Sequence, residues 1–122
     1  MLPVTSLVAS VAAVALIALS LAVSLRRMKV GPDVGTGEDA ALLRRIRAQG
    51  NYIEYVPIGL ILLGLAEYRG GSATMLWTIG GLLLAGRLLH AVGMLGGSTA
   101  PRALGMLLTY ASLLAGAVAL AL

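Results

Sequence analysis

Long runs of apolar residues alternate with short polar segments along the chain, and the runs have the length of membrane-crossing helices. Residues 2–25 and 103–122 contain no charged side chain, and residues 73–95 contain only Arg87 and His90 as ionisable groups. A helix that crosses a hydrocarbon layer of about 30 Å needs about 20 apolar residues. These runs therefore predict three membrane-spanning helices. The first run lacks the basic segment of a signal peptide, so we expect it to be retained.

A fourth helix is expected between the first two of these runs, although its sequence is less apolar. Residues 56–66 are uncharged but too short to cross a membrane alone, so the helix must extend back through the polar residues before them. The whole chain, residues 1–122, is thus expected to form one domain, an all-α integral membrane four-helix bundle. Its expected helices cover residues 2–25, 39–68, 73–95 and 101–122.

Basic residues predict the orientation of this bundle. Six of the nine Lys and Arg residues lie between positions 26 and 47, whereas the next loop contains only Arg69. Positive loops stay in the cytoplasm, so both termini are expected outside the cytoplasm of a bacterial inner membrane. The loop over 29–38 is rich in Gly and Pro, which predicts a turn-rich connection.

Composition excludes several classes of protein. With 59% hydrophobic and 11% charged residues, the chain is too apolar for a soluble domain of 122 residues. It has no Cys and one His, which excludes disulfides, thiolate metal sites and a Cys nucleophile, and no metal site is expected. The net charge of +4 is explained by topology and anionic lipid, so no nucleic-acid partner is expected.

The most informative polar residues share one face of the second helix. They follow the spacing i, i+4, i+7 and i+8 and are Arg47, Asn51, Glu54 and Tyr55. Polar residues at membrane depth are costly and normally face a bundle interior. One carboxylate among several arginines leaves an excess of positive charge, which suits an anionic ligand that also carries an ammonium or amide group.

Further polar residues are expected at the same end of the bundle: Arg26, Arg27, Arg87, His90 and Arg102. Each also has a purely structural interpretation. Arg26 and Arg27 could be membrane anchors, Glu54 could neutralise Arg47 or Arg87, and His90 could be a satisfied core histidine.

The motifs around these residues resemble a known family. The run RAQGNYIEYVP at 47–57 is similar to the helix-two signature RAQxNxxEYxP of the MAPEG family, the membrane-associated proteins in eicosanoid and glutathione metabolism. GRLLHAVGMLGGSTAPR at 86–102 resembles the family's helix-three element, and the Arg26–Arg27 pair also matches. The resemblance covers essentially the whole chain and is to a bacterial-type member.

This resemblance implies a homotrimer with three sites between neighbouring protomers, each holding glutathione as cosubstrate or cofactor. It assigns Arg102 to catalysis, beside the sulfur. The residues that it assigns to glutathione are Arg26, Arg27, Arg47, Asn51, Glu54, Tyr55, Arg87 and His90.

The expected function is that of a glutathione-dependent transferase or peroxidase acting on lipophilic electrophiles or lipid hydroperoxides. The alternative is a non-catalytic lipid- or glutathione-binding protein of the same fold. An exporter of cationic drugs fits poorly, because such transporters rely on a Glu in the first helix. The chain departs from the family at Met94, where its enzymes commonly have Tyr, and in the spacing before Arg102; Tyr110 could supply the missing hydroxyl.

Overall fold

The computed structural model describes residues 1–31 and 38–122, and these two ranges contain four α-helices. The helices are α1 (Pro3–Val30), α2 (Ala40–Tyr68), α3 (Ala73–Gly96) and α4 (Thr99–Ala121). The predicted all-α, four-helix architecture is confirmed. The first helix ends at Val30 rather than at residue 25, and the fourth begins at Thr99 rather than at 101. Most of the predicted turn-rich loop, residues 32–37, lies outside the described residues.

Three of the helices, α1, α3 and α4, are long and apolar enough to cross a membrane. The second helix does not reach that degree of hydropathy, because three arginines lie in its first half, followed by Glu54. It nevertheless packs against each of the other three helices. Consequently α2 lies within the bundle, although Arg47 and Glu54 on its polar face remain exposed.

Residues at the helix ends show why the chain turns where it does. The Asp39 carboxylate accepts a hydrogen bond of 2.7 Å from the backbone N–H of Leu42 and so caps α2. The Ser72 hydroxyl does the same for α3. Gly31 and Gly97 follow the ends of α1 and α3, with φ of 98° and 71°, a left-handed conformation that favours glycine.

Two ends of the bundle can be distinguished. At the basic end α1 and α3 finish while α2 and α4 begin. The opposite half contains an aliphatic core, built from Val4, Val8, Leu63, Ala66, Leu76 and Ile79. There the Glu67 carboxylate accepts the backbone N–H groups of Val4 and Thr5, at 2.8 and 2.7 Å, and thus caps α1.

Helices α3 and α4 touch through their backbones on the basic side of the bundle. A Cβ atom added at Gly105 would collide with the backbone nitrogen of His90, and one at Gly93 with that of Arg102. A Cβ at Gly86 would lie 2.9 Å from the backbone nitrogen of Thr109. These glycines hold α3 against α4, which places the polar residues of α3 directly beside α4.

Candidate functional site

Arg87 lies at the centre of the polar network and is only 4% exposed. Its Nε donates to Thr109 Oγ1 at 3.2 Å, its Nη1 to Asn51 Oδ1 at 2.6 Å, and its Nη2 contacts Met106 Sδ at 3.3 Å. These partners are uncharged, and within the described residues Arg87 belongs to no ion pair. A buried cation without a carboxylate is costly. The interior therefore carries an excess of positive charge, as the sequence indicated.

Asn51 connects this buried cation to a small cleft. The cleft has a volume of about 210 Å³ and is lined by Arg47, Gly50, Asn51, Glu54 and Met94. Because the amide oxygen of Asn51 accepts from Arg87, its amide nitrogen remains available as a donor. Three of the predicted site residues thus meet around one cleft, which offers a guanidinium, an amide donor and a carboxylate.

Tyr55 also lies beside Arg87. The guanidinium carbon is 5.7 Å from the centre of the Tyr55 ring, within cation–π range. The ring packs edge-on against Tyr110, with 5.7 Å between ring centroids, and the two hydroxyl oxygens are 3.4 Å apart. Tyr110 therefore joins the network through Tyr55 and does not line the cleft.

His90 and Arg102 lie near the contact of α3 with α4. His90 is buried one turn after Arg87, and its backbone packs on Gly105. Arg102 is exposed in the first turn of α4. Met94 lines the cleft at the position where the sequence resemblance leads one to expect Tyr, so that part of the wall is a thioether.

Arg26 and Arg27 end α1 at the same end of the bundle, outside the lining of the cleft. Arg26 forms an ion pair with Asp39, with 2.8 Å between Nη2 and Oδ2 and 3.2 Å between Nε and Oδ1. These hydrogen bonds, together with the backbone N–H of Leu42, hold the pKa of Asp39 below its ordinary value. Within one chain, then, the cleft is walled by α2 and α3.

The residues that sequence reasoning missed lie on α4. Thr109 is fully buried as an acceptor for Arg87, and Ser112 donates to the carbonyl of Ile79 at 2.7 Å. Small and polar residues recur on α4 at intervals of four, three and four, and all are buried: Gly105, Thr109, Ser112 and Gly116. That helical spacing is the signal that could have identified the face of α4 that meets Arg87.

No three side chains of His, Cys, Asp or Glu gather to hold a metal ion in residues 1–31 and 38–122. The polar side chains that line the cleft are those of Arg47, Asn51 and Glu54.

Comparison with known proteins identifies a family and two similar proteins. The model of the MAPEG family matches residues 5–122. The chain is 37% identical over 90 residues to the inner membrane protein YecN of Escherichia coli strain K12, an alignment that covers 74% of this chain and 69% of YecN. YecN of Escherichia coli O6:H1 matches to the same extent.

Proposed function

Since this chain belongs to the MAPEG family, as the motif at 47–57 predicted, we propose that it is a glutathione-dependent transferase or peroxidase. It is an integral membrane protein. We assign it to a bacterial inner membrane, the compartment in the name of YecN, with both termini outside the cytoplasm. Its substrates on this proposal are lipophilic electrophiles or lipid hydroperoxides that enter from the bilayer.

The observation that carries the proposal is the link from buried Arg87 through Asn51 to the cleft. Glutathione has two carboxylates, one ammonium group and two amides. Arg47 and the amide nitrogen of Asn51 suit a carboxylate or carbonyl, and Glu54 suits the ammonium group. The buried charge of Arg87 adds to the attraction for a ligand with net negative charge. The side chains of Arg47, Asn51 and Glu54 therefore complement the charged groups of this tripeptide.

Bound glutathione would supply the thiol nucleophile, which a chain without Cys cannot provide itself. A thiol reacts as its thiolate, and a neighbouring guanidinium favours that anion without losing its own proton. We assign this role to Arg102. Each unit by which the thiol pKa falls corresponds to about 1.4 kcal/mol in favour of the thiolate.

A homotrimer is part of the proposal, and exposed charges support it. Arg47 and Glu54 are exposed on a single chain although they lie on the polar face of α2, and Arg102 is exposed as well. Charged side chains at membrane depth are normally covered by protein or by a polar cavity. A neighbouring protomer would close the open side of the cleft and could bring its Arg26 and Arg27 to the ligand.

The test is calorimetry on the detergent-purified protein with glutathione, followed by turnover of an aryl halide and of a lipid hydroperoxide. Arg102→Ala should abolish turnover and retain glutathione binding, whereas Lys29→Ala, an exposed cation at the same end, should retain both. If the wild-type protein releases no heat with glutathione and the thiolate absorbance stays unchanged, the proposal is wrong.

A second candidate function is that of a glutathione-binding protein without catalysis. Met94 favours it, because the cleft has a thioether at the position where MAPEG enzymes commonly have the Tyr hydroxyl. Binding without turnover on either acceptor would support this alternative. A gain of turnover in Met94→Tyr would then identify the missing hydroxyl as the cause.

A further inference from the structure

Two adjacent cavities form a groove on the side wall of the bundle; α1, α2 and α3 line the first, and mainly α1 and α3 line the second. The first, of about 610 Å³, lies at the basic end, where Leu21 and Leu25 of α1 face Leu95 of α3. The second, of about 420 Å³, continues toward the bundle centre between Val11 and Leu84. Ala18 lines both cavities. A small side chain therefore lies where the two cavities adjoin.

The groove has the length of a lipid chain. Between Leu25 and Val11 it follows α1 for roughly 21 Å, at about 1.5 Å per residue. One leaflet accounts for about half of a hydrocarbon layer of about 30 Å. An acyl chain of a single leaflet can therefore lie along the groove.

Polarity changes along the groove in the way that an anionic amphiphile requires. The cavity at the basic end has two cations in its wall, Arg44 and Arg45, whereas the lining of the inner cavity is almost wholly apolar. Arg45 is held against α1 by a hydrogen bond of 2.8 Å from its Nη1 to the carbonyl of Ala22. Arg44 has a buried Nε without a hydrogen-bond partner. A buried donor without an acceptor is unfavourable, and the two guanidinium groups in the wall together suit a phosphate.

We propose that this groove binds one anionic phospholipid from the leaflet at the basic end. Its phosphate lies on Arg44 and Arg45, and one acyl chain runs past Ala18 between α1 and α3. Basic pockets between membrane helices are known binding places for anionic head groups. Arg87 contributes to the inner wall, but its nitrogens are bonded to Asn51, Thr109 and Met106 and are not needed by the lipid. The site is separate from the cleft and does not depend on the proposed function.

The test uses the full chain in nanodiscs of phosphatidylcholine alone or mixed equally with phosphatidylglycerol. Phosphatidylglycerol should raise the thermal unfolding midpoint and remain bound in native mass spectrometry. A basic residue near an anionic surface contributes about 1 kcal/mol, about a five-fold change in affinity. The double variant Arg44→Gln/Arg45→Gln should thus bind phosphatidylglycerol about 25-fold more weakly. Lys29→Gln removes an exposed charge that lines neither cavity, so it should weaken binding by at most about five-fold, well short of the double variant.

A second variant tests the chain-binding part and covers the case in which the double variant does not fold. Ala18→Phe fills the junction and should abolish retention of phosphatidylglycerol, while Val14→Phe, at a position 68% exposed to lipid, should not. Glutathione affinity should stay unchanged in Ala18→Phe and in the arginine double variant, which separates the lipid site from the proposed glutathione site.

Three results would overturn the lipid site. The first is equal stabilisation by phosphatidylcholine and phosphatidylglycerol. The second is an equal loss of phosphatidylglycerol affinity in Lys29→Gln and in the arginine double variant. The third is efficient cross-linking between chains through Ala18→Cys in the mixed bilayer, which would show that a second copy occupies the groove.

Discussion

The two halves of this bundle use polar residues in different ways. In the apolar half, side chains such as Leu63 and Ile79 are 0% and 1% exposed in an aliphatic core. The charged residues there, Glu67 and Arg69, bind backbone groups at the ends of α1 and α4. The first N–H groups and the last carbonyl groups of any helix have no partner within that helix. The charges of the apolar half therefore complete the fold itself.

In the basic half, the buried charge of Arg87 lies where the fold does not require a cation. Arg87 is buried among uncharged acceptors, and it orients Asn51 beside a cleft that also contains Arg47 and Glu54. A well-packed apolar residue would stabilise the same position at least as well. Residues that lower the stability of a protein are concentrated at functional sites. The difference between the halves thus separates residues that maintain the bundle from residues that we propose bind a ligand.

Truncating the apolar core should have the largest effect on stability. Leu63 is fully buried, so Leu63→Ala removes packing and leaves a cavity, lowering the free energy of unfolding by about 2–5 kcal/mol. Unfolding in detergent, followed by circular dichroism, measures the change. Leu114→Ala, at a position 66% exposed, is the control and should have little effect. A loss of glutathione affinity in folded Leu63→Ala would contradict the separation of the two halves.

Forcing α3 away from α4 should affect both stability and the site. Val at Gly105 would collide with the backbone at His90, which we expect to lower the free energy of unfolding by about 1–3 kcal/mol and to abolish glutathione binding. Gly81→Val carries the same change of side chain in a helix, where an added Cβ meets nothing within 4 Å. Binding is measured by calorimetry for both. Retained affinity in Gly105→Val would show that the α3–α4 contact does not position the site.

Much of the fold could be predicted because apolar run length determines where membrane helices lie. The runs located α3 and α4 to within a few residues. The prediction ended α1 too early, because it followed the apolar run, whereas the helix continues through its basic residues to Val30 and is capped at Gly31. Hydropathy detects the part of a helix that lies in lipid, and helix capping determines where the helix stops.

The site could be predicted only as far as a single helix determines it. Helical spacing placed Arg47, Asn51 and Glu54 on one face, and the structure brings them together. It did not reveal that Arg87 bonds Thr109, or that Arg26 pairs with Asp39. Such contacts depend on how neighbouring helices are rotated and shifted relative to each other, which one sequence leaves undetermined.

Replacing the buried cation should weaken binding and leave stability nearly unchanged. Arg87→Met keeps an unbranched side chain of similar length, so we expect the free energy of unfolding to change by less than about 1 kcal/mol. Asn51 loses the donor that orients its amide, and glutathione affinity should fall about ten-fold, or about 1.4 kcal/mol. Calorimetry with glutathione on Asn51→Leu and on the double variant Arg87→Met/Asn51→Leu provides the control. If the losses of binding free energy in the two single variants add up to the loss in the double variant, Arg87 does not act through Asn51.

Asp39 gives the smallest and most discriminating comparison, because it lies at the basic end yet caps a helix as Glu67 does. Hydrogen bonds from Arg26 and from the backbone N–H of Leu42 lower its pKa in the folded state. Its unfolded pKa is about 3.9, so the stability contributed by the carboxylate is complete above that pH. It is lost as the pH falls through the lower folded value.

Asp39→Asn should therefore lower the unfolding midpoint slightly at neutral pH, and the difference from wild type should shrink below about pH 4. Asn retains the ability to cap α2, whereas Ala does not, so Asp39→Ala should lower the midpoint further. Thermal unfolding between acid and neutral pH measures both variants, with glutathione affinity measured in parallel at neutral pH. Unchanged affinity would place Asp39 with Glu67 and Arg69 among the charges that complete the fold. A marked loss would instead extend the ligand site to the Arg26–Asp39 pair.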